Sequence, residues 1–224
     1  MPRGINSVLF DLDGTLADTA PDLAKALNQT LEQCGRNVLP YEMIRPVVSL
    51  GGAAMIELGF GITDNDPSFA SLRQRFLDNY FEDIALNTRL FDGIKEVLDQ
   101  LEFNQYRWGI VTNKPGWLTT PLLASLGLSD RPGCVVSGDT LPQRKPHPAP
   151  LLHACQLLDL EPESVVYVGD ALRDIEAGRK AGMKTIIARY GYISTEEKPD
   201  DWGADSIIDS PVELLAWLEL PAAG

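Results

Sequence analysis

The sequence predicts an α/β protein, a doubly wound parallel sheet with a small all-helical insert after its first strand. Three observations carry that reading. Short apolar, β-branched runs recur along the chain and each stops abruptly at polar or small residues, the form of a buried parallel strand meeting a loop. Amphipathic helical patterns alternate with those runs, as in a sheet covered on both faces. The stretch from Asp18 to Leu86 contains no such run.

Taken in order, Ile5 to Phe10 is the first strand, and it runs at once into the acidic turn Asp11-Leu12-Asp13-Gly14-Thr15. The insert follows, with amphipathic stretches at Asp22 to Cys34 and Phe69 to Phe81. Proline and glycine at Pro40, Pro46, Gly51, Gly52 and Pro67 divide it into several helices joined by short turns. Trp108 to Asn113, Cys134 to Gly138, Val165 to Asp170 and Thr185 to Ala188 are the next four strands, and Ile207 to Asp209 closes the sheet as an edge. Helices are expected at Gly93 to Leu101, Leu118 to Leu126, Ala149 to Leu158, Leu172 to Gly182 and Pro211 to Leu218, with Pro211 a good start and Gly182 a good stop. The expected division is a core of residues 1–17 and 87–224 and an insert of residues 18–86.

Composition narrows the function. A chain of 224 residues that is 44% hydrophobic and 23% charged has material for one sizeable core and is neither disordered nor fibrous. Its net charge of −13 disfavours nucleic acid and anionic membrane as partners. A small phosphorylated metabolite stays open, because a bound metal reverses the local field. Cys34, Cys134 and Cys155 are odd in number and widely spaced, which suits a reducing cytoplasm. The N-terminus from Met1 to Gly4 leads straight into the first strand with no leader pattern, and no apolar stretch approaches the ~18–20 residues of a membrane span. A monomer is the default expectation, with a dimer left open, since no long apolar surface pattern stands out.

Open parallel sheets bind ligands at the carboxyl ends of their strands. Those ends carry Asp11, Asp13, Gly14 and Thr15, then Thr112 and Asn113, then a stretch leading to Lys145, then Gly169, Asp170 and Asp174. Four carboxylates and a lysine crowded together raise one another's pKa unless a cation neutralises them. A hard divalent ion, Mg²⁺, suits an all-oxygen set, whereas zinc does not, because His147 and His153 stand apart from the acids. Each residue also has a plainer use: Thr15, Thr112 and Asn113 suit helix capping, and Gly14 and Gly169 suit tight turns.

In order and spacing, Asp11-Leu12-Asp13-Gly14-Thr15, Thr112-Asn113, Lys145-Pro146 and Gly169-Asp170 with Asp174 resemble the four motifs of the haloacid dehalogenase superfamily. The resemblance implies a Rossmann-like core and a phosphoryl-transfer site. It makes Asp11 the nucleophile that becomes an aspartyl phosphate, and Asp13 the general acid and base. It makes Thr112, the amide of Asn113 and Lys145 the groups that hold the transferring phosphoryl. It gives Mg²⁺ to Asp170, the Asp11 carboxylate and the Asp13 main-chain carbonyl, with Asp174 either a direct ligand or a neighbour that orients one.

Within the superfamily, Asp13 argues against haloalkanoate dehalogenases, Leu12 against transport ATPases, and Leu23 against a phosphosugar mutase with a histidine on the first helix of the insert. Lys25 is the only lysine between Asp18 and Leu86 and lies in an early helix, which argues against phosphonate hydrolases. A phosphatase remains, with a mutase or a catalytically silent binding relative as the rivals. The insert resembles the helical cap of the phosphoglycolate phosphatase subfamily, and Arg45 with Ser49, Leu50, Gly51 and Gly52 is the expected loop against the leaving group. Trp108 to Pro115, Arg189 to Ile193 and Trp202 to Asp205 are similar to the N-acetylmuramic acid 6-phosphate phosphatases of bacterial cell-wall recycling. The implied substrate is a small anionic phosphomonoester, 2-phosphoglycolate or N-acetylmuramic acid 6-phosphate.

Overall fold

Residues 4–221 are described by a computed structural model of the chain. Met1 to Arg3, where the N-terminal reading begins, and residues 222–224 lie outside it. The chain opens with β1 (Ser7–Phe10) and the two-residue β2 (Ala17–Asp18). Next come α1 (Ala20–Gln33), the single turn α2 (Tyr41–Ile44), a 3-10 helix (Arg45–Leu50), α3 (Gly52–Phe60) and α4 (Phe69–Glu82). Then β3 (Arg89–Leu90), α5 (Ile94–Phe103), β4 (Arg107–Val111), α6 (Gly116–Ser125), β5 (Val135–Val136) and α7 (Ala149–Leu158) follow. The chain ends with β6 (Val165–Gly169), α8 (Leu172–Lys180), β7 (Lys184–Ala188), β8 (Ser206–Ile208) and α9 (Glu213–Trp217).

Six strands form one sheet in the order β5-β4-β1-β6-β7-β8, every pair parallel. The chain winds outward from β1 to β5 on one side, then crosses back to β6 and winds outward on the other. The strand order therefore reverses between β1 and β6, where such sheets leave a crevice for ligands. Phe10 is level with both Ile110 and Val168, so the residues after β1, β4 and β6 emerge along one edge.

Alternation along the strands divides the core into two layers. Val8, Phe10, Val166 and Val168 face α5 and α9 through Ile94, Val97, Leu98, Leu214 and Leu215. Leu9, Val165 and Tyr167 face the opposite way, toward Leu151, Ala154 and Leu158 of α7 and Ala177 of α8. Burial on both sides is why these strands read as continuous apolar runs. The helices between β2 and β3 build a separate cluster from Leu27, Ile44, Met55, Ile56, Phe76 and Tyr80, which Leu118 and Tyr192 join to the sheet.

Two local features depart from the sequence reading. Ala17–Asp18 and Arg89–Leu90 pair as a small antiparallel ribbon at the two ends of the helical insert. Two residues are too few to display a period of two, so no strand pattern exists to be read. The turn expected around Arg45 is instead a 3-10 helix with Pro46 in its first turn, ended by Gly51 at φ 89°. That left-handed conformation is open to glycine at no steric cost.

Candidate active site

Asp11, directly after β1, is buried, and its Oδ1 lies 2.9 Å from Lys145 Nζ. The same ammonium is 2.8 Å from Asp174 Oδ1 and donates to the Tyr167 hydroxyl at 2.7 Å. Tyr167 in turn donates to the Val111 carbonyl at 2.8 Å, so Lys145 is held by two carboxylates and a phenol that is itself fixed. Asn113 fixes the lysine from outside: its amide donates to the Lys145 carbonyl at 3.0 Å and accepts from the Lys145 N–H at 3.1 Å. The Asn113 side chain thus clamps the lysine's backbone.

Asp170, after β6, faces the same space across the crevice. Its Oδ2 accepts from the Ser49 hydroxyl at 2.6 Å and the Tyr192 N–H at 2.9 Å. Gly14 permits the approach of the two strand ends, since it sits at φ +84° and a Cβ there would fall 2.1 Å from Asp170 Oδ2. Asp174, in the first turn of α8, accepts from the Ala171 N–H at 3.0 Å.

Asp11, Asp170 and Asp174 each offer an oxygen within 4.8 Å of the others, and all three are buried. Burial, only partly offset by the Lys145 charge and reinforced by repulsion from Asp174, lifts Asp11 to about 6. Burial together with Asp11 and Asp174 lifts Asp170 to about 7. Two carboxyls pressed toward neutrality beside a third, with neither histidine nor thiolate among them, fit a hard divalent cation. The Asp13 side chain is outside this group. Its Oδ1 pairs with Lys114 Nζ at 2.8 Å and accepts from the Thr19 hydroxyl at 2.6 Å.

A cavity of about 200 Å³ opens over Asp11 and Asp13, while Lys145, Asp170 and Asp174 are buried and do not line it. Asp11, Asp13, Thr112, Asn113, Gly51 and Gly52 line it, as their positions in the sequence suggest. Arg45 does not. Its guanidinium lies over the Tyr192 ring, 4.9 Å from the centroid, and donates to the Tyr190 carbonyl at 3.4 Å. A buried aromatic face and a free carbonyl outside the cavity take the charge that was expected inside it.

The cations that do line the cavity are Lys114, Arg73, Arg144 and Arg173. Lys114 sits 4.4 Å above the Tyr80 ring as well as on Asp13. Lys114 follows Thr112-Asn113 directly and Arg173 precedes Asp174, so their nearness to the motifs was a usable signal. Arg73, on an amphipathic helix far along the chain, offers none.

The haloacid dehalogenase-like hydrolase family matches residues 8–188. An N-acetylmuramic acid 6-phosphate phosphatase of Pseudomonas putida is 43% identical over 220 residues, covering 98% of this chain and 99% of its own. A phosphoglycolate phosphatase of Xylella fastidiosa is 42% identical over 205 residues, covering 92% of this chain and 89% of its own. The crystal structure of a predicted phosphoglycolate phosphatase from Haemophilus somnus superposes with a TM-score of 0.86 at 27% identity, covering 96% of this chain and 98% of that one. The chain belongs to the haloacid dehalogenase-like hydrolase family and is a phosphatase within it.

Proposed function

We propose that the protein is a cytoplasmic, Mg²⁺-dependent phosphomonoesterase for a small anionic metabolite, working through a phosphoaspartate on Asp11. The observation that carries this reading is Asp11 itself, a buried carboxylate 2.9 Å from Lys145, opening on a cavity that Asp13, Thr112 and Asn113 also line. Phosphatase relatives over nearly the whole chain support the same reaction class.

In the first step an Asp11 oxygen attacks phosphorus, the bond to the leaving oxygen breaks, and Asp13 gives that oxygen a proton. In the second, Asp13 takes a proton from water, the water oxygen bonds to phosphorus, and the Asp11–phosphorus bond breaks to release phosphate. Lys114 and Thr19 hold the Asp13 side chain in place, as the acid in the first step and as the carboxylate base in the second. Lys145 offsets charge on Asp11 and on the transferring group, and Thr112 with Asn113 receives the phosphoryl oxygens. Asp11, Asp170 and Asp174 would hold Mg²⁺, which when bound draws charge from those oxygens. Residues 18–86 act as a cap on the core of residues 1–17 and 87–224, excluding bulk water during the transfer.

The substrates this reading favours are 2-phosphoglycolate and N-acetylmuramic acid 6-phosphate. The test is phosphate release from each with Mg²⁺ and with EDTA, in wild type and Asp11→Asn, with acid-quenched protein assayed for bound phosphate. Metal-dependent release from wild type, with acid-stable protein-bound phosphate present in wild type and absent in Asp11→Asn, is the expected result. Release that survives EDTA, or that survives in Asp11→Asn, overturns the mechanism.

A further inference from the structure

Two cations of the cavity over Asp11 are not used by the protein's own side chains. Arg73 of α4 and Arg144, in the loop just before Lys145, both line it, and neither makes a hydrogen bond or ion pair among the described residues. Every other arginine among the described residues donates to a main-chain carbonyl, a carboxylate or, for Arg75, a cysteine sulfur, or, for Arg189, is ion-paired with carboxylates. The chain carries 32 acidic residues against 19 basic ones, so carboxylate partners are abundant. Two guanidiniums left without one, on elements far apart in sequence and at one cavity, mark a place where an anion comes from outside.

That anion is not the phosphoryl group, which on the phosphomonoesterase reading would lie at Asp11 with Lys145 and Thr112. It is a second anionic group on the same molecule. Guanidinium forks match a carboxylate with two parallel hydrogen bonds, a geometry that a lysine does not reproduce. The wall beside Arg73 is apolar. A Cβ added at Gly52 would meet Phe76 at 3.4 Å, and Arg73 Nε and Leu77 at 3.7 Å each, so Gly52, the arginine and both apolar side chains lie side by side along the cavity lining. Met55 continues that wall. A two-carbon acid has no surface to set against it, whereas a substituted sugar ring does.

We propose that Arg73 and Arg144 bind the carboxylate of a sugar-acid leaving group whose ring lies against Met55, Phe76 and Leu77. The proposal rests on the phosphomonoesterase reading and names the class of alcohol released. It makes the two arginines specificity-determining residues, with no part in the transfer itself.

The test compares N-acetylmuramic acid 6-phosphate with N-acetylglucosamine 6-phosphate, which lacks the lactyl carboxylate, alongside 2-phosphoglycolate and p-nitrophenyl phosphate, all with Mg²⁺. Wild type is expected to favour the carboxylated sugar by roughly 10–100-fold in kcat/KM, the worth of a hydrogen-bonded charge pair. In Arg73→Ala/Arg144→Ala that ratio falls toward one, and Arg73→Lys/Arg144→Lys restores only part of it. A wild-type ratio near one, a ratio unchanged in the double alanine variant, or a preference for 2-phosphoglycolate over both sugars overturns the proposal. In those cases phosphate release from p-nitrophenyl phosphate shows that the phosphatase reading survives. Failure of wild type on all four compounds overturns both.

Discussion

Ser49 donates its hydroxyl to Asp170 Oδ2 at 2.6 Å, so a residue of the helical insert holds a carboxylate at the end of a central strand. Arg173, one residue before Asp174, donates to the Ser49 carbonyl and ties the same loop down from the core. The insert and the acidic group are thereby one hydrogen-bonded unit.

Ser49→Ala should weaken the Mg²⁺ binding proposed for Asp170. The hydroxyl favours the ionised form of Asp170, and without it Asp170 keeps the Tyr192 N–H and a 3.4 Å contact from Thr15. A hydrogen bond to a charged group is worth about 1.5–3 kcal/mol, so the Mg²⁺ concentration for half-maximal activity at pH 7 should rise by roughly tenfold or more. A Mg²⁺ titration that superposes on wild type removes Ser49 from this role.

Asp11→Asn should abolish turnover, by about a thousandfold or more, while the protein stays folded. Asparagine keeps an oxygen for the Leu12 N–H, which Asp11 Oδ1 accepts at 2.8 Å, and Lys145 keeps Asp174 as its counter-ion. Thermal melts within a few degrees of wild type, beside steady-state rates, check both halves of the expectation.

The acidic group should make stability depend on pH and, through the proposed metal, on Mg²⁺ as well. Asp11 and Asp170 are raised from 3.8 to about 6 and about 7, so between pH 4 and pH 7 the folded chain binds more protons than the unfolded one. Stability without metal therefore falls as pH rises through that window and levels off above it. Mg²⁺ binds the ionised form, so the gain in Tm with Mg²⁺ over EDTA should grow from pH 5 to pH 7.5. A gain that is flat with pH contradicts the assignment of these carboxylates to the metal.

Asp22 is a buried carboxylate on α1 that is fully used. It accepts from the Asn87 N–H and side-chain amide at 2.9 Å and from the Thr88 N–H and hydroxyl at 2.8 Å each, binding α1 to the approach of β3. Asp22→Ala leaves those donors buried without an acceptor and should cost about 3–5 kcal/mol, read as a lower midpoint in urea. A change below 1 kcal/mol would mean water replaces the carboxylate.

The three thiols should separate cleanly. Cys134 and Cys155 are buried, and burial lifts them to about 12 and about 11, while Cys34 is exposed. At pH 8, Ellman's reagent should find one fast thiol in the native protein and three after denaturation. Fast reaction of two or more in the native state contradicts the packing of α7 against the sheet.

The parts of this protein that were legible in its residues are those whose signal is local. β1, β4, β6 and β7 are buried on both faces, so Ser7–Phe10 and its counterparts read as apolar runs whatever surrounds them. Asp11, Thr112 and Asp170 end such runs, and the rule that ligands meet strand ends is enough to bring them to one edge. What packing alone settled are pairings between distant segments. Nothing near Arg45 indicates that Tyr192 will take its guanidinium, and nothing near Arg73 indicates that its face of α4 turns toward Gly52. The same holds for Lys114 on Asp13 and for Ser49 on Asp170, which lie 101 and 121 residues apart. Periodicity and turn chemistry act over a few residues, whereas these contacts depend on how the insert's own core, built on Leu27, Met55 and Phe76, seats against Leu118 and Tyr192.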